Sequence, residues 1–327
     1  MEINRINQNQ VDNSGLGSLK VKPPRRKMTA KTKKLIFVWG MLAYPILQFL
    51  IFFVLVNISS IIMSFERQVI GSSGISIKTS AYWYQKFYKE LFITKLPQVR
   101  NAIVNSLFVG LNDLILVALS VTLAYFFYKK MPGRNVFRII FFLPSIISIV
   151  IYTMVYKYMF NPQTGPVSIV LQKIFGWTVS STPSWFNDYG IIMIMVYCLW
   201  VGTGYNILIL GGAIANLSEE VMESARLDGA KMRHELFLLV IPMIWPTISV
   251  SILGAVTTMF TLFIQVELLT GNSAPTVAYL INNLVKRGKV NNLSEGAAIG
   301  LIFTVVATPI IVLVKKLLDK VSESFGF

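Results

Sequence analysis

Residues 35–65 read LIFVWGMLAYPILQFLIFFVLVNISSIIMSF, with no charged side chain between Lys34 and Glu66. A bilayer core about 30 Å thick takes roughly 20 apolar residues of helix, and a charge at mid-span costs on the order of 2.5–3.5 kcal/mol on insertion scales. The stretch is long enough to cross a membrane. It is also too long, behind too long a flank, to be the apolar core of a cleavable signal, so it is expected to persist as an anchor. Working outward by the same criterion, charge-free runs recur at Asn101–Tyr128, interrupted only by Asp113, and at Ile139–Tyr156, Tyr189–Ala215, Leu236–Val266 and Gly296–Val314. The pattern predicts an all-α membrane protein of six transmembrane helices.

Composition agrees. Over 327 residues the chain is 54% hydrophobic and only 14% charged, with a mean hydropathy of +0.62, whereas soluble domains run near 25% charged. A net charge of +15 would suggest nucleic acid in a soluble protein, but here apolar runs separate the cations instead of gathering them on one face. They collect at span ends. With the N-terminus inside, nineteen of the thirty Lys and Arg fall on inner segments, the bias that keeps basic flanks cytoplasmic. Both termini are therefore predicted cytoplasmic; Lys286, Arg287 and Lys289 go against the bias by lying outside.

The chain divides into a basic tail over residues 1–34, the membrane domain over 35–318 and a C-terminal tail over 319–327. The first tail lacks apolar residues to pack and is expected to be mobile, resting on anionic lipid through Arg25, Arg26 and Lys27. Residues 66–100, with Tyr82, Trp83, Tyr84, Phe87 and Tyr88, suit an interfacial belt with a short external excursion.

Several chemistries are absent from the pattern. One cysteine, Cys198, and one histidine, His234, allow no intrachain disulfide and no Cys/His metal cluster. No phosphate-binding GxxxxGK[ST] loop exists, since Gly288-Lys289 is followed by Val290. The chain is thus no enzyme: it has no catalytic residues and cannot hydrolyse ATP alone. Gly202-Thr203-Gly204 lies inside a span and reads as close helix packing, as does the pair Gly296 and Gly300. Asp113 is the one carboxylate well inside a span, and intramembrane acids default to function. An alternative reading, an ion-coupled secondary transporter or channel, has only that acid to offer at mid-membrane. An intramembrane enzyme would need clustered Asp, His or Cys.

Between the fourth and fifth runs, Asn216–Glu235 reads NLSEEVMESARLDGAKMRHE. Ser218 is placed to cap a helix, with Glu219 and Glu220 in a first turn whose dipole favours anions. Val221, Met222 and Ala225 recur at helical spacing beside Glu223 and Arg226. Asp228-Gly229 breaks the helix, and a second begins near Ala230. A helix, a glycine turn and a helix, joined directly to two spans, suit docking into another protein's groove and passing its motion to the membrane.

Glu223-Ser224-Ala225, then Asp228-Gly229-Ala230, then Ile241-Pro242 with Pro246, resemble the EAA motif loop of ABC transporter permease subunits of the carbohydrate-uptake type, the maltose and glycerol-phosphate permeases among them. Phe137-Arg138 with Phe141-Phe142-Leu143-Pro144 is similar to the family's third-span opening, and Asn161–Gly165 to its short external turn. Trp200 through Gly212, Thr270-Gly271 with Pro275-Thr276, and Gly296-Ala297-Ala298 follow in the same order. The resemblance covers roughly Ala102–Leu318. Ser224 departs from the motif's middle Ala, a small-for-small change, and the family's Gly-Gly-Pro turn is loosened to Gly271-Asn272-Ser273-Ala274-Pro275.

The resemblance implies a type I ABC importer permease domain whose coupling helix, around 216–235, sits in a cleft of a cytoplasmic ATPase subunit. Carried over by motif position, Glu223, Ala225 and Gly229 form the coupling core and Asp228 shapes the turn. It further implies a second permease subunit in a heterodimer, two ATPase subunits that hold ATP and Mg, and an extracytoplasmic solute-binding protein. This chain itself would bind no cofactor and no metal. Carbohydrate transport by sugar import, of a sugar, oligosaccharide or polyol across a bacterial inner membrane, is the implied activity. A sugar site needs aromatic faces and hydroxyl or amide groups, and near mid-depth the candidates are Trp200, Tyr205, Asn206, Thr257, Thr258 and Thr261.

Overall fold

A computed structural model of the chain describes residues 29–71, 74–79, 96–286 and 292–326. Arg25, Arg26 and Lys27 of the tail, the aromatic segment from Tyr82 to Tyr88, and the cations Arg287 and Lys289 lie outside the described residues. Two compact units are distinguished, Met1–Asn57 and Ile58–Phe327.

In chain order the elements are helix α1 (Lys31–Ser64), strands β1 (Glu66–Gly71) and β2 (Gly74–Thr79), and helices α2 (Leu96–Tyr128), α3 (Arg134–Ile146), α4 (Ile149–Met159), α5 (Pro166–Phe175), α6 (Gly190–Ala215), α7 (Glu219–Leu227), α8 (Met232–Met243), α9 (Trp245–Thr261), α10 (Ile264–Leu269), α11 (Val277–Lys286) and α12 (Asn292–Ser324). The first unit carries most of α1, which includes a π-helical turn at Leu50–Leu55. This helix is apolar and exposed round its circumference, the state of a helix solvated by lipid. After it, β1 and β2 pair antiparallel with Glu66 opposite Thr79 and Ile70 opposite Ile75. The described chain is therefore helical apart from one hairpin, which lies in the segment read as a short external excursion; β-branched Val69, Ile70, Ile75 and Ile77 favour the strand.

Among the described residues four helices are long and apolar enough to cross a membrane, namely α1, α2, α6 and α12, and there are up to six spans if each bent pair counts as one. The expected third span is broken: α3 and α4 meet at 115°. Pro144 removes one amide from the last turn of α3, Ile147 is extended (φ −77°, ψ 145°), and α4 starts afresh after Ser148. The expected fifth span is broken too, α8 and α9 meeting at 78°. Pro246 sits in the first turn of α9, where its missing amide and its ring prevent the α8 ladder from continuing through Ile244. Both runs are apolar across their bends, so composition alone joined them. The fifth run also stops early, at Thr261, before an extended Leu262. The last helix does the opposite and runs on to Ser324, so that residues 319–324 of the C-terminal tail are helical.

Within the second unit α2 packs along α6 and α9. One apolar cluster joins Val117, Val121, Ala124 and Tyr125 of α2 to Leu210 and Ile214 of α6, Met222 of α7 and Val240 of α8; a second gathers Tyr152, Tyr156, Ile194, Tyr197 and Val266. Lipid tails are as apolar as these side chains, so close packing and polar stitches hold the helices together. Asn105 Nδ2 donates to the Pro275 carbonyl at 2.9 Å, Asn112 Nδ2 to Met195 at 3.2 Å and Thr276 Oγ1 to Leu262 at 2.7 Å. The loosened 271–275 turn is held as well, with Asn272 Oδ1 accepting from the Tyr279 hydroxyl at 3.3 Å.

Of the glycines read as packing residues, Gly202, Gly204 and Gly296 lie against a neighbouring helix, whereas an added Cβ at Gly300 meets nothing within 4 Å. A Cβ at Gly202 would fall 2.5 Å from Leu116 Cδ1, and one at Gly204 only 1.9 Å from the Phe141 carbonyl oxygen of α3. Since the obstacle at Gly204 is backbone, Gly204→Ala is expected to push α6 off α3 at a cost of about 1–3 kcal/mol. Thermal melting of the purified protein should drop for this variant, while Gly211→Ala, with nothing within 4 Å of its added carbon, should leave melting unchanged or raised by better helix propensity.

Candidate functional site

Helix α7 ends in a Schellman turn. The Gly229 amide donates to the Arg226 carbonyl and the Ala230 amide to the Ala225 carbonyl, both at 3.0 Å, while Gly229 takes φ +81°. That geometry satisfies two of the carbonyls a helix C-terminus leaves open, and it needs a left-handed residue after the cap. Ala225 and Gly229 thus contribute through their backbones. The Glu223 and Asp228 side chains are exposed, and so is Ser224, whose hydroxyl bonds its own helix at the Glu220 carbonyl, 2.8 Å away. Small-for-small exchange at Ser224 therefore leaves the helix intact. Ser218 occupies the cap position with extended backbone, but its hydroxyl makes no capping bond, and the second helix starts at Met232, two residues later than expected.

One side of α7 is anchored and the other is bare. Met222 is fully buried in the apolar cluster, whereas Leu227, one residue before the cap, is 89% exposed and Val221 is 39% exposed. The anchor continues through a charge cluster that the sequence reading passed over. Glu235 is 2% exposed and meets Lys129 Nζ at 2.5 Å, with Arg226 Nη2 4.0 Å from its other oxygen. The Tyr125 hydroxyl donates to the Met232 carbonyl at 3.4 Å, and Lys129 Nζ lies 5.5 Å from the centre of the Tyr125 ring. Glu235 also opens a π-helical turn, Glu235–Val240, a local widening often found at functional sites. Its neighbour His234, the single histidine, is exposed. The available signal was a lone carboxylate at the very foot of an apolar run, which must find a cation to enter the bundle.

A second feature lies deeper. Between α2, α6 and α9 is a cavity of about 440 Å³ whose polar lining comprises Asp113, Tyr205, Asn206, Ser251, Thr258 and Gln265. Of the six residues proposed from sequence for a sugar, Tyr205, Asn206 and Thr258 meet here. The others do not. Trp200 packs edge-on against Tyr152 at 5.4 Å. Thr257 and Thr261 lie on another face of α9, each hydroxyl bonded to its own helix, at Leu253 and Thr257. Ser251 was missed, although its spacing of seven from Thr258 places both on one helix face; Gln265 follows beyond the Leu262 break and was not predictable from helical spacing.

At the opposite end of the bundle Lys286 Nζ pairs with Glu267 Oε1 at 2.5 Å, and Asn282 Nδ2 donates to Glu267 Oε2 at 2.9 Å. Lys286, one of the three cations that opposed the charge bias, is thereby partnered. Nearby, Asn161 Oδ1 accepts from the amides of Gln163 and Thr164, and a Cβ at Gly165 would fall 2.5 Å from the Met159 carbonyl oxygen, so the short Asn161–Gly165 turn requires glycine.

Comparison with known proteins agrees with this geometry. Residues 115–322 match the family described as binding-protein-dependent transport system inner membrane component. The arabinooligosaccharides transport system permease protein AraP of Bacillus subtilis (strain 168) is 27% identical over 297 residues, covering 86% of each chain. A solved bacterial ABC transporter involved in the import of the acidic polysaccharide alginate superposes with a TM-score of 0.68 at 21% identity, covering 89% of this chain and 98% of the other. The bacterial alginate transporter solved in complex with an alginate pentasaccharide-bound periplasmic protein gives 0.67 at 20% identity, covering 89% and 97%. A bent-span bundle with an anchored helix and glycine turn, matched by the family over most of its length, makes this chain a member of the binding-protein-dependent transport system inner membrane components.

Proposed function

We propose that the chain is a permease subunit of a bacterial ABC importer for a sugar, oligosaccharide or polyol, with α7 and the Gly229 turn as the coupling helix that receives force from a cytoplasmic ATPase. The observation that carries this reading is the two-sidedness of α7: Met222 and the Lys129–Glu235 pair tie it to the spans, while Leu227 is left 89% exposed beside the turn. An exposed leucine held on a rigid element, with acidic Glu223 and Asp228 beside it, is suited to an apolar pocket with basic surroundings. The end of the bundle bearing Lys129, α7 and Leu318 then faces the cytoplasm, as do both termini. ATP and Mg are held by two partner ATPase subunits, a second permease completes the path, and an extracytoplasmic binding protein delivers the solute.

Tyr205, Asn206, Thr258 and the neighbouring Asp113, Ser251 and Gln265 offer an aromatic face and hydrogen-bonding groups of the kind a sugar's hydroxyl pattern requires. Closure of the ATPase pair would bias the spans between inward- and outward-open states through the anchored helix, a population shift driven by nucleotide.

Leu227→Asp tests the docking. Burying a leucine in a partner pocket is worth about 1.5–3 kcal/mol, so the substitution is expected to weaken retention of the ATPase subunit on the purified permease by tenfold or more. The chain's own melting should stay unchanged, because the side chain touches little of its own fold. Full retention of the ATPase by the Asp variant would remove Leu227 from the interface.

A further inference from the structure

Helices α2, α3 and α6 enclose another cavity, of about 470 Å³, at the same end of the bundle as Lys129. Its rim carries Arg134, Arg138 and Tyr128; its wall includes Leu208, Gly211 and Gly212. Arg134 and Arg138 are one turn apart and so project from one face of α3. Arg134 is the first residue of that helix, after Gly133 at φ +80°, where the helix dipole adds positive potential. Among the described residues neither guanidinium has an ion-pair partner, in contrast to Lys129, Arg226 and Lys286. The wall is as informative as the rim: a Cβ at Gly211 or at Gly212 would meet no atom within 4 Å, so α6 presents bare backbone beside open space.

We propose that this cavity is a binding site for an anionic phospholipid, its phosphate held by Arg134 and Arg138 and an acyl chain lying along α6 at Gly211 and Gly212. Guanidinium groups bind phosphate oxygens in pairs of hydrogen bonds, and basic pockets between spans on the cytoplasmic side are suited to anionic headgroups. A free anion would leave the apolar wall without a partner; an uncharged amphiphile would leave the two cations without one. No carboxylate lines the cavity, so a zwitterionic headgroup finds nothing for its ammonium. The inference rests on the orientation proposed above, with this end of the bundle at the cytoplasmic face of a bilayer, and it stands whether or not the transported solute is a sugar.

The test uses the transporter purified with its partner subunits in detergent and offered either dioleoylphosphatidylglycerol or dioleoylphosphatidylcholine, with bound lipid counted by native mass spectrometry. Retention of one phosphatidylglycerol per copy of this chain in preference to phosphatidylcholine is expected. Arg134→Ala with Arg138→Ala should weaken that retention about 30-fold, at roughly fivefold for each arginine near an anionic surface. Gly211→Leu keeps both arginines and fills the chain groove, so it should also reduce retention, which preserves the test should the double variant fail to assemble. Equal retention of the two lipids, or retention unchanged in these variants, overturns the proposal. So does displacement of the lipid by inorganic phosphate alone, which marks a free-anion site, and so does an assembled complex that holds no lipid because a helix of the second permease fills the cavity.

Discussion

Gly229→Val is expected to reduce uptake to background while the chain still inserts and folds. The residue sits at φ +81°, a region where a side chain crowds the backbone at a cost of about 1–2 kcal/mol, and more for a β-branched residue. Space is not the obstacle, since a Cβ there meets nothing within 4 Å. The penalty is conformational, and the chain relieves it by giving up the bonds from Gly229 to Arg226 and from Ala230 to Ala225. With them goes the last turn of α7, and Leu227 no longer stands in a fixed direction. Burial elsewhere is untouched because Met222 and the apolar cluster lie on the other side of the helix. Gly229→Asn is the informative companion, because asparagine enters the left-handed region more readily than other side chains. Uptake of radiolabelled solute by cells carrying each variant, set against the amount of permease in their membranes, should rank glycine above asparagine and asparagine far above valine. Wild-type uptake in the valine variant would take the turn out of the drive path.

What could be read in the sequence follows from which forces are local. The charge-free runs located the four unbroken candidate spans and the two bent helix pairs among the described residues, because the cost of a charge in hydrocarbon acts residue by residue. The Asp228-Gly229 turn was legible for the same reason: a left-handed cap is set by the residue that occupies it. The bends at Ile147 and Ile244 were hidden although Pro144 and Pro246 were in plain view, because prolines are tolerated in spans wherever neighbouring helices re-satisfy the backbone, and that depends on packing. Gly204 could be read as a packing residue but not paired with Phe141, whose carbonyl approaches it from another helix. The cavity shows the same division. Asp113 was conspicuous as a lone intramembrane acid, and Tyr205, Asn206 and Thr258 line the cavity with it. That Trp200 packs on Tyr152 instead was not legible, because Tyr152 comes from the far side of the α3–α4 break.

Lys129→Met is expected to be the most destabilising single change in the membrane domain, and its asymmetry with Glu235→Met tests why. Lys129 and Glu235 are separated by more than a hundred residues, yet their side chains meet at 2.5 Å with Glu235 only 2% and Lys129 15% exposed. Removing the lysine leaves a carboxylate in the bundle with only Arg226, at 4.0 Å, to answer it. Breaking a buried pair from one side costs about 3–5 kcal/mol, because the remaining charge is stranded. Removing the glutamate is milder: Lys129 is the last residue but one before the exposed turn at Met131, and its long stem lets the ammonium reach toward water or headgroups. The double variant Lys129→Met/Glu235→Met should recover most of the loss, since two apolar side chains of similar volume replace two desolvated ions. Melting temperatures of the purified proteins at one common scan rate should therefore run wild type, then the double variant close behind, then Glu235→Met, then Lys129→Met. If the double variant fell below both singles, apolar packing between α2 and α8, and not the charge pair, would be what Lys129 and Glu235 hold in place. The order bears on the proposed force transfer as well, because α8 begins just beyond the Gly229 turn and α2 lines the Asp113 cavity: the pair joins the helix after the turn to a helix at that cavity.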